Sequence, residues 1–251
     1  MLKSLFRKDK PAAPMPRVPD EVRVYAIGDV HGCDLEFAQL ISMIDADHAR
    51  RTPKRQILIL LGDLVDRGPD SAAVVERATK LRESGREVRL IAGNHEELLL
   101  NACGGDNTAL RVFARNGGRE TAISYGISPE LYDAADFTEL QSLLDSHVPK
   151  AHRDFLTDME ELIVIGDYAF VHAGIRPGVA LADQRGEDLR WIRDRFLNHV
   201  GPHERFIVHG HTITEDVDEQ DNRIGIDTGA YLNGRLTALG LEGDRRWFLN
   251  T

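Results

Sequence analysis

Three times in the N-terminal half of the chain, a short apolar run gives way to a polar glycine turn and then to a helical pattern. The clearest copy is Gln56-Ile57-Leu58-Ile59-Leu60-Leu61, followed by Gly62-Asp63-Leu64-Val65-Asp66-Arg67-Gly68. The run reads as a buried strand. Asp70-Ser71 then opens an amphipathic helix that ends at Gly85. Earlier, Val22 to Ile27 leads into Gly28-Asp29-Val30-His31-Gly32 and a helix with Asp34 at its cap and Phe37, Leu40, Ile41 and Ile44 on one face. Later, Glu87 to Ala92 leads into Gly93-Asn94-His95-Glu96 and a helix beginning at Glu97. Three strand–loop–helix units in succession predict an α/β domain with a parallel start, and such sheets place ligands at the carboxyl ends of their strands. Asp63 emerges directly from an apolar strand, so its charge needs a cation or a hydrogen-bond network.

Residues 101–160 read differently, as helices broken at Gly104-Gly105, Gly117-Gly118, Pro129 and Pro149, and are expected to form a helical cap inserted into the domain. Beyond it the chain turns β-rich. A hairpin is expected from Leu162–Ile165 and Tyr168–His172 around Gly166-Asp167, with further strands at Phe206–Val208, Ile224–Asp227, Leu236–Leu241 and Arg246–Leu249. Residues 1–20, with Lys3, Arg7, Lys8 and Lys10 followed by four prolines, read as a flexible tail without the apolar centre of a secretory signal, ahead of a single domain over residues 21–251. A net charge of −10 argues against a nucleic-acid partner bound through bulk basicity. No apolar run approaches the roughly 18 residues needed to cross a bilayer, so no stable membrane insertion is expected. Two cysteines, Cys33 and Cys103, make neither a disulfide framework nor a zinc spacing, and a reducing, cytoplasmic setting is expected.

The polar residues at the strand ends include Asp29, His31, Asp63, Asn94, His172 and His211. A mixed oxygen–nitrogen set of this kind suits manganese, iron or zinc. Six ligands exceed the need of one catalytic ion with open positions. Two ions about 3.5–4 Å apart, bridged by one carboxylate, would use them all and would suit in-line displacement at phosphorus.

In order, the motifs GDVHG, GDLVDRG, GNHE, VHAG and HGHT each follow an apolar strand, and together they resemble the phosphoprotein phosphatase family of calcineurin-like metallophosphoesterases over about residues 22–241. The resemblance implies an α/β (α+β) fold with a central β-sandwich of mixed sheets flanked by helices and a dinuclear site at its edge. By motif, Asp29 and His31 would bind a first metal, Asp63 would bridge, and Asn94, His172 and His211 would bind the second, with manganese the first choice of ion. His209 would lie at a strand end or behind the ligands. His95 would be the general acid, oriented by Asp66. Arg67 and Arg193 would take the phosphate oxygens beside Asn94; Arg193 is chosen from Trp191-Ile192-Arg193, with Arg190, Arg195 and Arg176 as competitors.

Within the resemblance, symmetrical diadenosine tetraphosphate hydrolases typically carry Ala at the position of Asp66 and GNHD for GNHE. Retention of Asp66 and Glu96 therefore points to the bacterial and phage serine/threonine protein phosphatases. The expected activity is hydrolysis of phosphoserine, phosphothreonine or phosphotyrosine in a phosphorylated protein or peptide by direct attack of a metal-bridging hydroxide. The dinucleotide hydrolase is the alternative, and a catalytically silent binding module is a third reading that the complete ligand set disfavours. Asn116-Gly117-Gly118-Arg119 in the insert is a candidate rim of the substrate site, with a plain helix break and a solvated arginine as the equal alternative.

Overall fold

The structure, a computed structural model, describes residues 15–251. The three N-terminal units form as the pattern predicts: β1 (Val22–Ile27) and α1 (Asp34–Ala49), β2 (Arg55–Leu60) and α2 (Ser71–Glu83), β3 (Val88–Leu90) and α3 (Asn94–Cys103). Five short helices then run without a strand, α4 (Asn107–Arg115), α5 (Gly118–Ser124), α6 (Pro129–Ala134), α7 (Phe137–His147) and α8 (Lys150–Thr157). The hairpin follows as β4 (Ile163–Ile165) and β5 (Tyr168–Phe170), then α9 (Gly186–Trp191), α10 (Asp194–Leu197) and β6 (Phe206–His209). The chain finishes with β7 (Asp218–Glu219), β8 (Arg223–Gly225), α11 (Ala230–Asn233), β9 (Thr237–Glu242) and β10 (Arg245–Asn250).

The strands make two five-stranded mixed sheets, ordered β10-β9-β1-β2-β3 and β4-β5-β6-β8-β7. In the first, β1, β2 and β3 are parallel; in the second, β5, β6 and β8 are. Because side chains alternate across a strand, Val24, Ala26, Ile57 and Ile59 face Ile163, Tyr168, Phe170, Val208 and Ile224 between the sheets. Their neighbours Tyr25, Ile27, Leu58 and Leu60 pack outward on Phe37, Leu40, Ile44, Val74 and Val75 of α1 and α2. Burial on both faces is why β2 reads as an unbroken apolar run. On the far side, Ala169, Val171 and Ile207 carry Leu189, Ile192 and Phe196. The architecture is a β-sandwich between helical layers.

Local details depart from expectation. The helix expected from Glu97 begins at Asn94, because Glu96 reaches back and accepts from the Gly93 N–H at 2.9 Å, stabilising an earlier first turn. Asp34 is not the cap of α1: Cys33 holds that position, and the Asp34 carboxylate takes both arms of Arg77 at 2.6 and 2.7 Å. The tail expected over residues 1–20 lies outside the described residues as far as residue 14, and its end is not loose. Val18 is buried and donates its N–H to the Gly243 carbonyl, while the Arg17 carbonyl accepts from the Asp167 N–H.

Candidate active site

The carboxyl ends of the parallel strands of both sheets meet at one edge of the sandwich. Asp29 follows β1, Asp63 follows β2, Asn94 and His95 open α3 after β3, His172 follows β5, and His211 follows β6. All six are buried. The backbone here is unusual. Among the described residues, the only positive-φ positions other than glycine are His31 (45°), Asp63 (50°), Asp66 (72°), Arg67 (69°) and His211 (63°). Side chains resist this region of conformational space, and such strain concentrates at functional sites. All five are residues for which the sequence motifs predict chemistry.

Asp63 is the hub. His31, Asp63 and His95 bring one ligand atom each within 4.8 Å of one another, and so do Asp63, His172 and His211. Asp63 Oδ2 lies 3.5 Å from His31 Nε2, 3.4 Å from His172 Nε2 and 3.9 Å from His95 Nε2. Asn94 Oδ1 joins the second group, 3.0 Å from His172 Nε2. The carbonyls of Val65 and Leu61 lie 2.8 Å from the Nδ1 atoms of His31 and His172 respectively, which sets those nitrogens as donors and turns each Nε2 toward Asp63 as the atom that would meet a metal ion once it carries no proton. Burial opposes charge on Asp63, but His172, His95 and His31 outweigh it and hold the carboxyl well below the usual range. Burial likewise opposes a charge on His172, and Asp63 overrides it, raising the imidazole to about 10. His31 and His211 are driven by burial down to about 3 and about 2.

Asp29 belongs to neither three-residue group. Its two oxygens accept the His211 N–H at 3.2 and 3.0 Å, and Gly210 makes room for it, since a Cβ there would sit 2.0 Å from Asp29 Oδ1. Burial first, then Asp227, pushes the Asp29 carboxyl well above its usual value. Asp227 lies outside the five sequence motifs. It is buried two residues beyond β8; its Oδ1 accepts from Gly229 at 3.0 Å and its Oδ2 has no partner. Burial, opposed by that hydrogen bond and reinforced by Asp63, raises it to about 6. Its only sequence signal is an acid after a short apolar strand. Three buried carboxylates among imidazoles, with Asp227 Oδ2 and His211 Nε2 unpartnered, are the donor set of a cation site. The residues fit divalent ions.

His95 stands beside this cluster. Its Nδ1 is 2.6 Å from Asp66 Oδ2, and both side chains are buried. Burial disfavours the imidazolium, but Asp63 and Asp66 outweigh it and raise the His95 pKa. Arg67 reaches across the site, with Nη1 2.9 Å from His31 Nε2, Nη2 2.9 Å from His95 Nε2, and its guanidinium 5.0 Å from the centre of the Tyr231 ring. The single lone pair of His31 Nε2 can serve Arg67 or a metal ion, not both.

Among the competing arginines, Arg190 is tied to Glu97 and Glu161, and Arg176 to Asp188. Arg193 is exposed, forms no ion pair among the described residues, and is one of the charges that lower the His211 pKa. His209 ends β6 and meets Gly210 and Arg223, behind the ligands. Cys33 and Cys103 are buried free thiols raised to about 12 and about 11 by burial, so neither is a ready thiolate.

Glu96, which in the sequence only separates one branch from another, anchors a loop. Its Oε2 accepts from Asp63 and Gly93 at 2.8 and 2.9 Å, and its Oε1 from Leu64 and Val65 at 2.7 and 3.3 Å. It pulls the 62–68 loop onto the N-terminus of α3. The candidate rim, Asn116 to Arg119, also touches the 62–68 loop. Arg119 pairs with Asp133, and the Gly117 carbonyl accepts from the Arg67 N–H at 3.0 Å, so this segment props the loop from behind.

The model of the calcineurin-like phosphoesterase family matches residues 22–231. The chain is 34% identical over 154 residues to the symmetrical bis(5'-nucleosyl)-tetraphosphatase of Acidovorax sp. strain JS42, which is 61% of this chain and 44% of that relative. It therefore spans less than half the length of that protein. It is 30% identical over 231 residues to serine/threonine-protein phosphatase 1 of Salmonella typhimurium, covering 87% of this chain and 92% of the relative. Among solved structures, a cold-active protein tyrosine phosphatase superposes with a TM-score of 0.60 at 20% identity, covering 93% of this chain and 81% of that one, which shows a shared fold. Among the described residues, no helix is long and apolar enough to cross a membrane.

Proposed function

The chain belongs to the calcineurin-like phosphoesterase family, and on that premise we propose that it is a metal-dependent phosphomonoesterase of the protein phosphatase branch, acting on phosphorylated proteins or peptides. Asp29, His31 and Asp63 would hold one divalent ion, and Asp63, Asn94, His172 and His211 a second, with manganese as the working metal. Bound there, the pair would supply an activated water for in-line attack and neutralise charge on the phosphoryl oxygens. The protein's own side chains do the rest. Arg67 and Arg193 bind the phosphate oxygens, Arg67 with a planar fork that a lysine cannot offer. Asn94 borders the same oxygens. His95 gives its Nε2 proton to the departing oxygen while Asp66 holds the opposite nitrogen, and no phosphate passes to the protein.

The observation that carries this reading is the Asp66 Oδ2–His95 Nδ1 contact of 2.6 Å, buried and aligned. An alkoxide is a poor leaving group at neutral pH, and a positioned acid accelerates its departure by about 10²–10⁴-fold. A nucleotide leaving group needs that help far less. Similarity along nearly the whole length of the Salmonella phosphatase supports the same branch. The second reading, a symmetrical dinucleoside tetraphosphatase, is favoured by the 34% identity over the first-named relative's matching segment.

The His95→Asn variant tests the assignment. It should bind the same number of manganese ions as the parent and lose about 10²-fold or more in kcat on an alkyl phosphate. Near-parental kcat would remove His95 as the acid.

A further inference from the structure

The insert carries a hydroxyl that reaches the acid. Thr121, in the middle of α5, is fully buried, and its Oγ1 donates to Asp66 Oδ1 at 2.6 Å. The same oxygen accepts from the Asp66 N–H at 2.8 Å and lies 2.9 Å from Ser71 Oγ, which itself accepts from Asp66 N–H at 3.0 Å. Ser71 can therefore give its proton to Thr121, which gives its own to Asp66. The two carboxylate oxygens of Asp66 are thus divided: Oδ1 to Thr121, Oδ2 to His95. Just before α5, at Gly117, the same segment grips the next residue of the loop. Its carbonyl accepts from Arg67 N–H at 3.0 Å, and glycine is needed at its φ of 99° because a Cβ would stand 2.6 Å from Arg67 N. Asp66 and Arg67 both have positive φ, so the insert braces two consecutive strained residues.

We propose that Thr121 is a positioning residue for the acid step: its hydroxyl fixes the Asp66 carboxylate so that Oδ2 alone meets His95, coupling the helical insert to proton delivery. The proposal rests on the reading of His95 as general acid. Without the Thr121 hydroxyl, Oδ1 of the buried carboxylate has no donor, and the group can rotate about its Cβ–Cγ bond so that neither oxygen is held at the angle that orients His95. A misaligned Asp66 would leave the His95 ring free to tilt, and transfer to a poor leaving group suffers first.

The test compares Thr121→Val, which keeps the shape and removes the hydroxyl, with Thr121→Ser, which restores it. Two readouts are taken. One is the downfield proton resonance of His95 Nδ1–H in the metal-free protein; the other is kcat, with manganese, on a primary alkyl phosphate and on p-nitrophenyl phosphate. Thr121→Val should lose or shift the resonance and fall about 10–100-fold on the alkyl ester, with a change of only about threefold on the nitrophenyl ester, whose leaving group needs no proton. Thr121→Ser should resemble the parent in both. An equal loss on both esters, or an unchanged resonance with unchanged alkyl turnover, would overturn the proposal. If the valine variant does not fold, Ser71→Ala, which removes only the hydroxyl behind Thr121, should show the same selectivity at smaller amplitude; a loss without selectivity, or no loss, counts against it. A parent protein inactive on alkyl phosphates, yet with a resonance that depends on Thr121, would overturn the acid reading and the coupling to proton delivery with it, leaving only the hydroxyl's hold on the Asp66–His95 pair.

Discussion

Arg67 holds a φ of 69° while its two terminal nitrogens touch His31 and His95. For a residue with a Cβ, the left-handed region costs about 1–2 kcal/mol, a penalty glycine escapes. Two substitutions separate strain from chemistry. Both Arg67→Ala and Arg67→Gly remove the guanidinium and should depress turnover alike. Alanine is ordinarily the more stabilising residue of the two, yet here Arg67→Gly should be the more stable by about 1 kcal/mol in chemical denaturation. Equal stabilities, or a more stable alanine variant, would mean that the backbone at 67 is not strained. At this scale the sequence is informative for residues that sit in motifs and blind to those that do not. Asp29, His31, Asp63, His95 and His211 can be named because each follows an apolar run within a short recognisable string. Asp227 and Thr121 reach the same site from a short strand and from the middle of a helix. Neither pattern says where such a side chain points until the tertiary packing is known.

Helix α3 shows how one side chain joins elements. Its first turn presents Asn94 and His95 to the site while Glu96 turns the other way and receives four N–H groups, from Gly93, Asp63, Leu64 and Val65. Those groups are buried and have no water to fall back on. Glu96→Ala should therefore cost about 3–5 kcal/mol of stability and loosen the loop that carries Asp63, lowering manganese affinity in calorimetric titration. A loss below about 1 kcal/mol, with unchanged manganese binding, would show that the loop holds its shape without Glu96. The periodic pattern places the start of this helix at Glu97, three residues late, because Asn94, His95 and Glu96 are not apolar and carry no period. Strands are easier to place. The expected hairpin forms with Ile163 opposite Phe170 and Ile165 opposite Tyr168, since apolar runs around Gly166-Asp167 leave little choice of register. The two-residue strand β7 has too little pattern to be read.

For the whole molecule, two sheets contribute to one site because the parallel strands of each end at the same edge. Gly28 shows how closely they meet there: a Cβ on it would lie 2.4 Å from the Ile226 carbonyl oxygen. The order of strands in each sheet is not readable from the chain, since pairing such as β1 with β9 joins segments more than two hundred residues apart. The layered fold and the clustering of motif residues are readable, because each apolar run demands cover and each strand-end carboxylate demands a partner. The choice of ester is the claim that matters most. It is tested by a single side-by-side turnover assay with manganese on a phosphoserine peptide, a phosphotyrosine peptide and diadenosine tetraphosphate. Preference for either peptide is the predicted result, and it also tells which residue is served. Preference for the dinucleotide would contradict the assignment of Asp66 and His95 to an alkoxide or phenoxide leaving group.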